Sequence, residues 1–434
     1  MSRKFEVVIV GAGPAGISAA CILAENGVDT LVLERGEFPG AKNISGGVLY
    51  GNDLARILPD FEQRKAPIER NIIDSRIWYL SDHGGYSLSY KDEVFEEERK
   101  YNVFTVGRAK FDRWFAQQAE KKGALIVSST VVEDLIRDER GKVCGVKTDR
   151  PEGEVNADVV LLADGINSPL AAKTGFRPDN EPEQIALGVK EIIELPRETI
   201  NERFNVSESD GVTIEVLGSV TGGMNGVGAL YTNKDSLSLV IGANVSDFGE
   251  SKKKPYDLIE EFKQHPMVAD IIQGGTPREY MAHWLPEGGF NHIPKLYGDG
   301  YLIAGDSGML FNALHREGSN MAMISGKTAA ETILEARKTG SYGEDNLSTY
   351  VDKLWNTFVL KDLKKYKKFP GFLQNHTEIF NILPELGEHA AREMLSVDSV
   401  PKKTKQQAIW KQIKSRMSRW KLLKLAWDAW RSVK

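Results

Sequence analysis

Phe5–Val10 (FEVVIV), Gly11-Ala12-Gly13-Pro14-Ala15-Gly16, the run ISAACILAENG ending at Gly27, and Thr30–Leu33 closed by Glu34 together decide the fold. The first run is short, apolar and β-branched, the pattern of a strand buried on both faces of a parallel sheet. A glycine-rich turn, a helix and a second strand ending in an acid follow within about 30 residues, the context that gives a GxGxxG motif its meaning. Gly11 permits a tight turn, Gly13 lets the backbone approach a pyrophosphate, and Gly16 allows close helix–strand packing. The helix start, with Pro14 and Ala15, turns free N–H groups and positive dipole toward phosphate. Glu34 is placed to accept hydrogen bonds from ribose hydroxyls, and an acid there disfavours a 2′-phosphate. The expectation is a dinucleotide site, with FAD and NAD still open.

Working outward, Val106–Phe115 (VGRAKFDRWF) begins a helix after a strand, and Arg108 is within reach of a dinucleotide. Leu125–Val132 (LIVSSTVV) reads as one strand, followed by a strand–turn–strand pattern through Val143–Lys147. Ala157–Ala163 (ADVVLLA) is another buried strand running into Asp164-Gly165, where open α/β sheets bind ligands. Gly300–Ala304 (GYLIA) repeats the device with Gly305-Asp306-Ser307-Gly308. Arg316-Glu317-Gly318-Ser319-Asn320 then opens a further helix. Asp306 can hold ribityl hydroxyls, and a helix N-terminus at Gly318, Ser319 and Asn320 can stabilise negative charge on a reduced flavin. An NAD dehydrogenase has no need of this second device, so the expectation becomes FAD.

The middle, roughly 180–295, alternates as antiparallel strands do, in Gly211–Leu217 and Ser236–Ile241. Gly222, Gly223, Gly226 and Gly228 cluster there with no helix after them, and read as a loop rather than a second dinucleotide fold. The expected architecture is α/β: a Rossmann-like FAD-binding domain over 1–180 and 296–340, an inserted, mainly antiparallel substrate domain over 181–295, helices over 341–400 and a basic tail over 401–434.

Composition narrows the class. A net charge of −5 over 434 residues gives no footprint for nucleic acid. Two cysteines, Cys21 and Cys144, are too few for a disulfide framework, a zinc site or an iron–sulfur cluster held by this chain alone. The opening residues run straight into a strand without an apolar signal core, and no run of 18 apolar residues occurs, so a cytoplasmic chain is expected. The tail is different: residues 401–434 carry +10, leaving −15 on the rest, and hold four of the eight tryptophans. On one continuous helix Trp410, Ile413, Met417, Trp420, Leu423, Trp427 and Trp430 form a single stripe flanked by Lys and Arg. That pattern suits a helix lying in a membrane interface, or one docked on an acidic surface.

Several longer motifs resemble one family. Glu34-Arg35-Gly36, Pro39 through Tyr50 (PGAKNISGGVLY), Pro286-Glu287-Gly288-Gly289-Phe290, Arg316–Gly326 and Phe358–Lys368 are similar to those of FixC and electron-transfer-flavoprotein:quinone oxidoreductases, within the p-hydroxybenzoate hydroxylase superfamily. The resemblance runs to about residue 400. It implies further FAD contacts at Arg35, Lys42, Asn43, Gly46, Gly47 and Val132, and a quinone head near Gly288, Gly289 and Phe290. Full-length quinone oxidoreductases of the family add a ferredoxin-like [4Fe–4S] domain, for which this chain lacks the cysteines. The resemblance therefore implies the FixC (EtfC) type: the quinone-facing FAD subunit of an NADH-oxidising, electron-bifurcating assembly at the inner face of the cell membrane. Its implied partners are a FixA/FixB-type electron-transfer flavoprotein and a FixX-type [4Fe–4S] subunit. No catalytic side chain is assigned, and His283, His292 and His315 are expected to be structural or solvated. The alternative is a geranylgeranyl reductase of the same superfamily, which usually carries cysteine where this chain has Ser45.

Overall fold

The computed structural model describes residues 4–43, 47–95, 97–167 and 169–434. It divides the chain into two compact units, 1–68 with 106–184 and 284–367, and 69–105 with 185–283 and 368–434.

The first unit is built on parallel strands β1 (Lys4–Val10), β2 (Thr30–Leu33), β3 (Leu125–Val127), β4 (Glu154–Leu162) and β5 (Tyr301–Ile303), in the order β5-β4-β1-β2-β3. Val7, Val8, Ile9, Val32 and Val159–Leu162 are buried, as strands covered on both faces must be. The register aligns the strand ends: Val10 pairs with Leu33 and Leu162, and Leu162 with Ile303. The turns at Gly11, Glu34, Asp164 and Gly305 therefore leave the same carboxyl edge. Helix α1 (Pro14–Glu25) buries Ala15, Gly16, Ile17, Ala19, Ala20 and Cys21 and packs along the later helix α2 (Ser319–Thr339). A Cβ on Gly326 would sit 2.0 Å from the Ala15 carbonyl oxygen, so the approach of these helices depends on that glycine.

Two expectations about this unit are corrected. Leu125–Val132 is not one strand: β3 stops at Val127, and Val132 starts a separate antiparallel ribbon (Val132–Arg137 with Val143–Thr148). Between them Ser129 takes φ 52°, and the N–H groups of Ser129 and Thr130 donate to the carbonyls of Gly36 and Glu34, which draws the chain off the strand line. The segment 69–105, expected inside the FAD-binding domain, belongs to the second unit, because Ile68–Leu80 pairs in parallel with Asp210–Gly218.

The second unit is largely antiparallel, in the order Thr276–Pro286, Ile185–Glu194, Ser236–Asn244, Gly226–Thr232, Asp210–Gly218, Ile68–Leu80, Val103–Val106, with Gly85–Lys91 paired to Ile68–Leu80. Gly226 and Gly228 lie in a strand rather than a loop; a Cβ on Gly226 would meet the Gly242 carbonyl oxygen at 2.1 Å. One face packs Val189, Ile193, Val212, Ile214, Val216, Leu230, Leu239 and Ile241 against Leu258, Ile259, Phe262 and Val268 of two short helices. Arg70 is wholly buried at one end of this sheet. Its guanidinium donates to the carbonyls of Asn233, Ser207, Asp210 and Lys234 and to Asn201 Oδ1, which is how a buried cation is tolerated.

The tail is two helices, Lys402–Arg416 and Arg419–Val433, not the single helix expected. Met417 is extended (φ −139°, ψ 131°), and the Ser418 hydroxyl caps the second helix by accepting from Lys421 N at 3.2 Å. The break splits the stripe. Met417 and Leu425 turn inward onto Leu386, with Ile413, Leu422, Phe372 and Ile379 around them. Trp410, Trp420, Leu423, Trp427 and Trp430 stay outside, Trp420 with 82% of its surface exposed. Buried His376 ties the last helix down, with Nδ1 3.2 Å from Glu378 and Nε2 3.1 Å from Asp428.

Arg70→Met is expected to destabilise the protein by about 3 kcal/mol or more, because several buried carbonyls lose their donor together. Denaturant unfolding checks this, and a change below about 1 kcal/mol would contradict the role given to Arg70.

Candidate functional site

The Gly11 turn begins where β1 ends. Gly11 has φ 102°, and a Cβ there would stand 2.4 Å from the Ala163 carbonyl oxygen, at the end of β4. A Cβ on Gly16 would lie 2.0 Å from the Gly11 carbonyl oxygen, whereas one on Gly13 would meet nothing within 4 Å. The turn is therefore closed on its protein side and open at Gly13, the N-cap of α1, which no side chain caps. Free N–H groups facing open space are what a pyrophosphate requires. Glu34, 9% exposed, is held at both oxygens: Ala12 N donates to Oε2 at 2.9 Å and Gly36 N to Oε1 at 2.7 Å. Each oxygen keeps a lone pair for a ribose hydroxyl.

The ends of β4 and β5 are laced together. Ser307 Oγ donates to Asp164 Oδ1 at 3.0 Å and accepts from Gly165 N at 2.8 Å. Asp306 sits beside them, and burial lifts its carboxyl to about 6 against the pull of Arg108 and Arg177. Arg108 opens the helix Arg108–Lys121 and forms a bidentate pair with Asp112 at 2.9–3.0 Å. Asn43 donates to the same carboxylate, and a Cβ on Gly47 would stand 3.2 Å from the Arg108 stem. Arg108, Asn43, Gly47 and Asp306 are thus parts of one polar wall.

Helix α2 starts at Ser319 without a side-chain cap. A Cβ on Gly318 would press on the Phe311 ring at 2.8 Å, and Ser319 Oγ donates to the Val48 carbonyl at 3.3 Å. Asn320, 3% exposed, has an Oδ1 with no hydrogen-bond partner among the described residues, as has Asn312 Nδ2. Uncapped N–H groups beside orphaned buried amides fit the polar edge of a flavin ring. The residues present therefore fit FAD: its diphosphate at Gly11–Gly16, adenosine ribose at Glu34, ribityl chain at Asp306 and ring edge at Gly318–Asn320. Of the other expected contacts, Val132 is buried at the start of its ribbon, while Arg35 and Lys42 are exposed. Gly46 lies outside the described residues, as does Ser45.

Three motifs converge elsewhere in this unit. Glu287-Gly288-Gly289 leads from strand Thr276–Pro286 into a 3-10 turn, Phe290–His292, and so is not an ordinary hairpin turn. Gly289 has φ 63° and ψ −163°, a conformation suited to glycine. His292 Nδ1 lies 2.6 Å from the Gly288 carbonyl oxygen. The Phe290 ring packs on Trp355 at 5.9 Å, Lys364 stands over Trp355, and His315 meets Tyr366 edge-on at 5.1 Å. His292 and His315 thus have structural contacts.

Sequence reasoning missed Asp112, Arg177 and Ser307. Asp112 had a signal, since it stands four residues after Arg108 on a helix. Arg177, which donates to the carbonyls of Ile166 and Ser307, had none.

The chain resembles known proteins along its whole length. Residues 6–166 match the FAD dependent oxidoreductase family, and residues 369–434 the C-terminal domain of the ETF-QO/FixC family, so the likeness extends through the tail rather than ending near 400. Protein FixC of Azotobacter vinelandii is 45% identical over 434 residues, covering 100% of both chains. Protein FixC of Bradyrhizobium diazoefficiens is 44% identical over 410 residues, 94% of each chain, and that of Escherichia coli K12 is 40% identical over 399 residues, 91% of each. Among solved structures, a geranylgeranyl bacteriochlorophyll reductase-like protein from Thermoplasma acidophilum shares the fold with a TM-score of 0.72 and 20% identity, covering 96% of this chain and 97% of its own. A flavin-dependent brominase does so at 0.65 and 17%, covering 95% and 100%.

Gly11→Ala is expected to abolish FAD retention, read as loss of flavin absorbance after gel filtration. Asp306 gives a pH signature in the cofactor-free protein. Its raised carboxyl binds a proton in the folded chain that the unfolded chain releases near pH 4. Stability should therefore fall as pH rises from about 4 to about 6, by up to about 3 kcal/mol. Asp306→Asn should remove that part of the slope in denaturant melts.

Proposed function

We propose that this chain, which belongs to the ETF-QO/FixC family of FAD-dependent oxidoreductases and acts in electron transfer, takes electrons from an electron-transfer flavoprotein and delivers them to a membrane quinone. The observation that carries this reading is the convergence of the 286–290, 312–320 and 358–366 segments in the unit that holds the FAD cradle. Reducing a quinone needs an apolar slot and hydrogen-bond donors beside its carbonyls, with no nucleophile. Phe290 and Trp355 supply the apolar walls, and Gly288 and Gly289 allow close approach to a carbonyl. FAD supplies the redox chemistry when bound. The chain's own part is to hold it, with the α2 N-terminus favouring negative charge on the reduced ring. Among the described residues no group of His, Cys, Asp and Glu could hold a metal. With Cys21 and Cys144 its only cysteines, the chain lacks the four thiolates of a [4Fe–4S] centre, which we assign to a separate FixX-type subunit, and the electron donor to a FixA/FixB-type pair within an NADH-oxidising, bifurcating assembly.

No helix among the described residues is long and apolar enough to cross a membrane. Membrane contact is assigned instead to the outward face of the tail. Trp420, Leu423, Trp427 and Trp430 are exposed there on a helix with four Lys or Arg and one acid, with Lys434 just past its end. Lys434 Nζ stands 4.4 Å from the Trp430 ring, the pairing of cation and aromatic that suits an anionic lipid surface. Each basic residue near such a surface contributes about 1 kcal/mol.

Anaerobic mixing of the FAD-reduced protein with a short-chain quinone should reoxidise the flavin rapidly and form quinol stoichiometrically, while a geranylgeranyl lipid should not react. Loss of lipid double bonds with a slow quinone reaction would establish the prenyl-reductase alternative. For the tail, Trp420→Glu with Trp427→Glu should reduce co-sedimentation with anionic liposomes at least about tenfold. Unchanged sedimentation would place the membrane contact elsewhere.

A further inference from the structure

Reducing a quinone to a quinol needs two electrons and two protons, and a reduced FAD in the cradle described above would account for the electrons and one proton. The 286–290 turn contains one group with the chemistry of a proton donor. Glu287 is ringed by protein yet keeps part of its surface open. Its backbone is fixed, with its N–H donating to the Gln184 carbonyl at 2.7 Å. That carbonyl comes from the short 3-10 helix Pro182–Gln184, His292 faces the neighbouring Gly288 carbonyl, and Arg316 of the loop 312–317 is the charge that acts on the Glu287 carboxyl.

That loop is braced. Asn312 and Glu317 exchange N–H···O bonds of 3.0 and 3.2 Å, and His315 N donates to Asn312 Oδ1 at 3.3 Å. The closure holds Arg316 at φ 53°, a left-handed backbone that a non-glycine residue adopts at a cost. Strain retained in a loop that also sets the start of α2 has a use if it fixes where the Arg316 charge stands relative to Glu287.

We propose that Glu287 is the proton donor to the quinone reduced at the Gly288–Phe290 turn, and that Arg316 is the positioning residue for its carboxyl. The inference rests on the quinone reading above. Of the two protons taken up, one would be supplied with the two electrons by the bound, reduced FAD. The other leaves Glu287: the carboxyl O–H breaks, the second quinol O–H forms, and the carboxylate regains a proton from water through its open side. Burial, opposed by Arg316, pushes the Glu287 carboxyl up to about 7. It is thus a donor still protonated near neutral pH whose conjugate base is easily refilled.

The test uses the full-length, FAD-loaded protein with two readouts. By infrared difference spectroscopy, a protonated-carboxyl C=O band should titrate away near pH 7. Glu287→Gln should remove it, and Arg316→Met should move its midpoint upward, since the guanidinium holds it down. By stopped flow, the rate of flavin reoxidation by a short-chain quinone is divided by that with ferricyanide, which takes electrons without protons. The ratio should fall above about pH 7 in the native protein. It should drop about 100-fold and lose that pH dependence in Glu287→Gln, with Glu287→Asp restoring part of it. A native ratio and pH profile in Glu287→Gln, or a carboxyl band that survives the substitution, would overturn the proposal while leaving quinone reduction intact. A native protein inert to quinone would overturn the quinone reading itself, and the donor role with it.

Discussion

The Gly11 turn passes so close to the Ala163 carbonyl that no side chain fits between them, and the cofactor site depends on that approach. β1 and β4 run in register to the same edge, and the turn leaving β1 must clear the end of β4 within the width of a backbone. Once that is met, the α1 N-terminus points into open space at Gly13, and Glu34 comes within reach of Ala12 N. The same edge brings Asp164 and Asp306 together through Ser307. α2 closes on α1 at a contact that tolerates only glycine at 326. The result is a cradle that fits a flavin largely through backbone geometry, with a few polar side chains locked by one another.

The second unit solves a different problem. Its sheet has one strongly apolar face, and a cation, Arg70, is buried at one end with its donors spent on carbonyls. Its terminal helices are strongly basic, and they are anchored by a small apolar cluster and by His376 between two carboxylates. Anchoring is what leaves the tryptophans outside, because the residues that satisfy the packing are Met417, Leu422 and Leu425 instead.

The cradle was legible in the sequence because its parts are local: a strand, a glycine turn and a helix start obey short-range rules. Gly11, Gly13, Glu34 and Asp306 could be placed for that reason. Failures came where long-range partners decide. LIVSSTVV has the composition of one strand, yet the carbonyls of Gly36 and Glu34 pull Ser129 and Thr130 away. Residues 69–105 lie between dinucleotide-fold segments in sequence, but their strand finds its partner at Asp210–Gly218. The tail has helical periodicity throughout, and only the packing of Met417 and the Ser418 cap reveals the break. Arg177 and Glu287 carry no signal in their neighbours, since their character comes from burial beside groups remote in sequence.

In the proposed role this chain links a flavoprotein donor to a quinone pool through its own FAD. The direct measurement is anaerobic electron flow from a reduced FixA/FixB-type flavoprotein to quinone in anionic liposomes, with and without the FAD-loaded chain. Quinol forming in step with flavoprotein oxidation, only when the loaded chain is present, is the expected result. A donor that stays reduced, or quinol formed equally well with the cofactor-free Gly11→Ala protein, would contradict it.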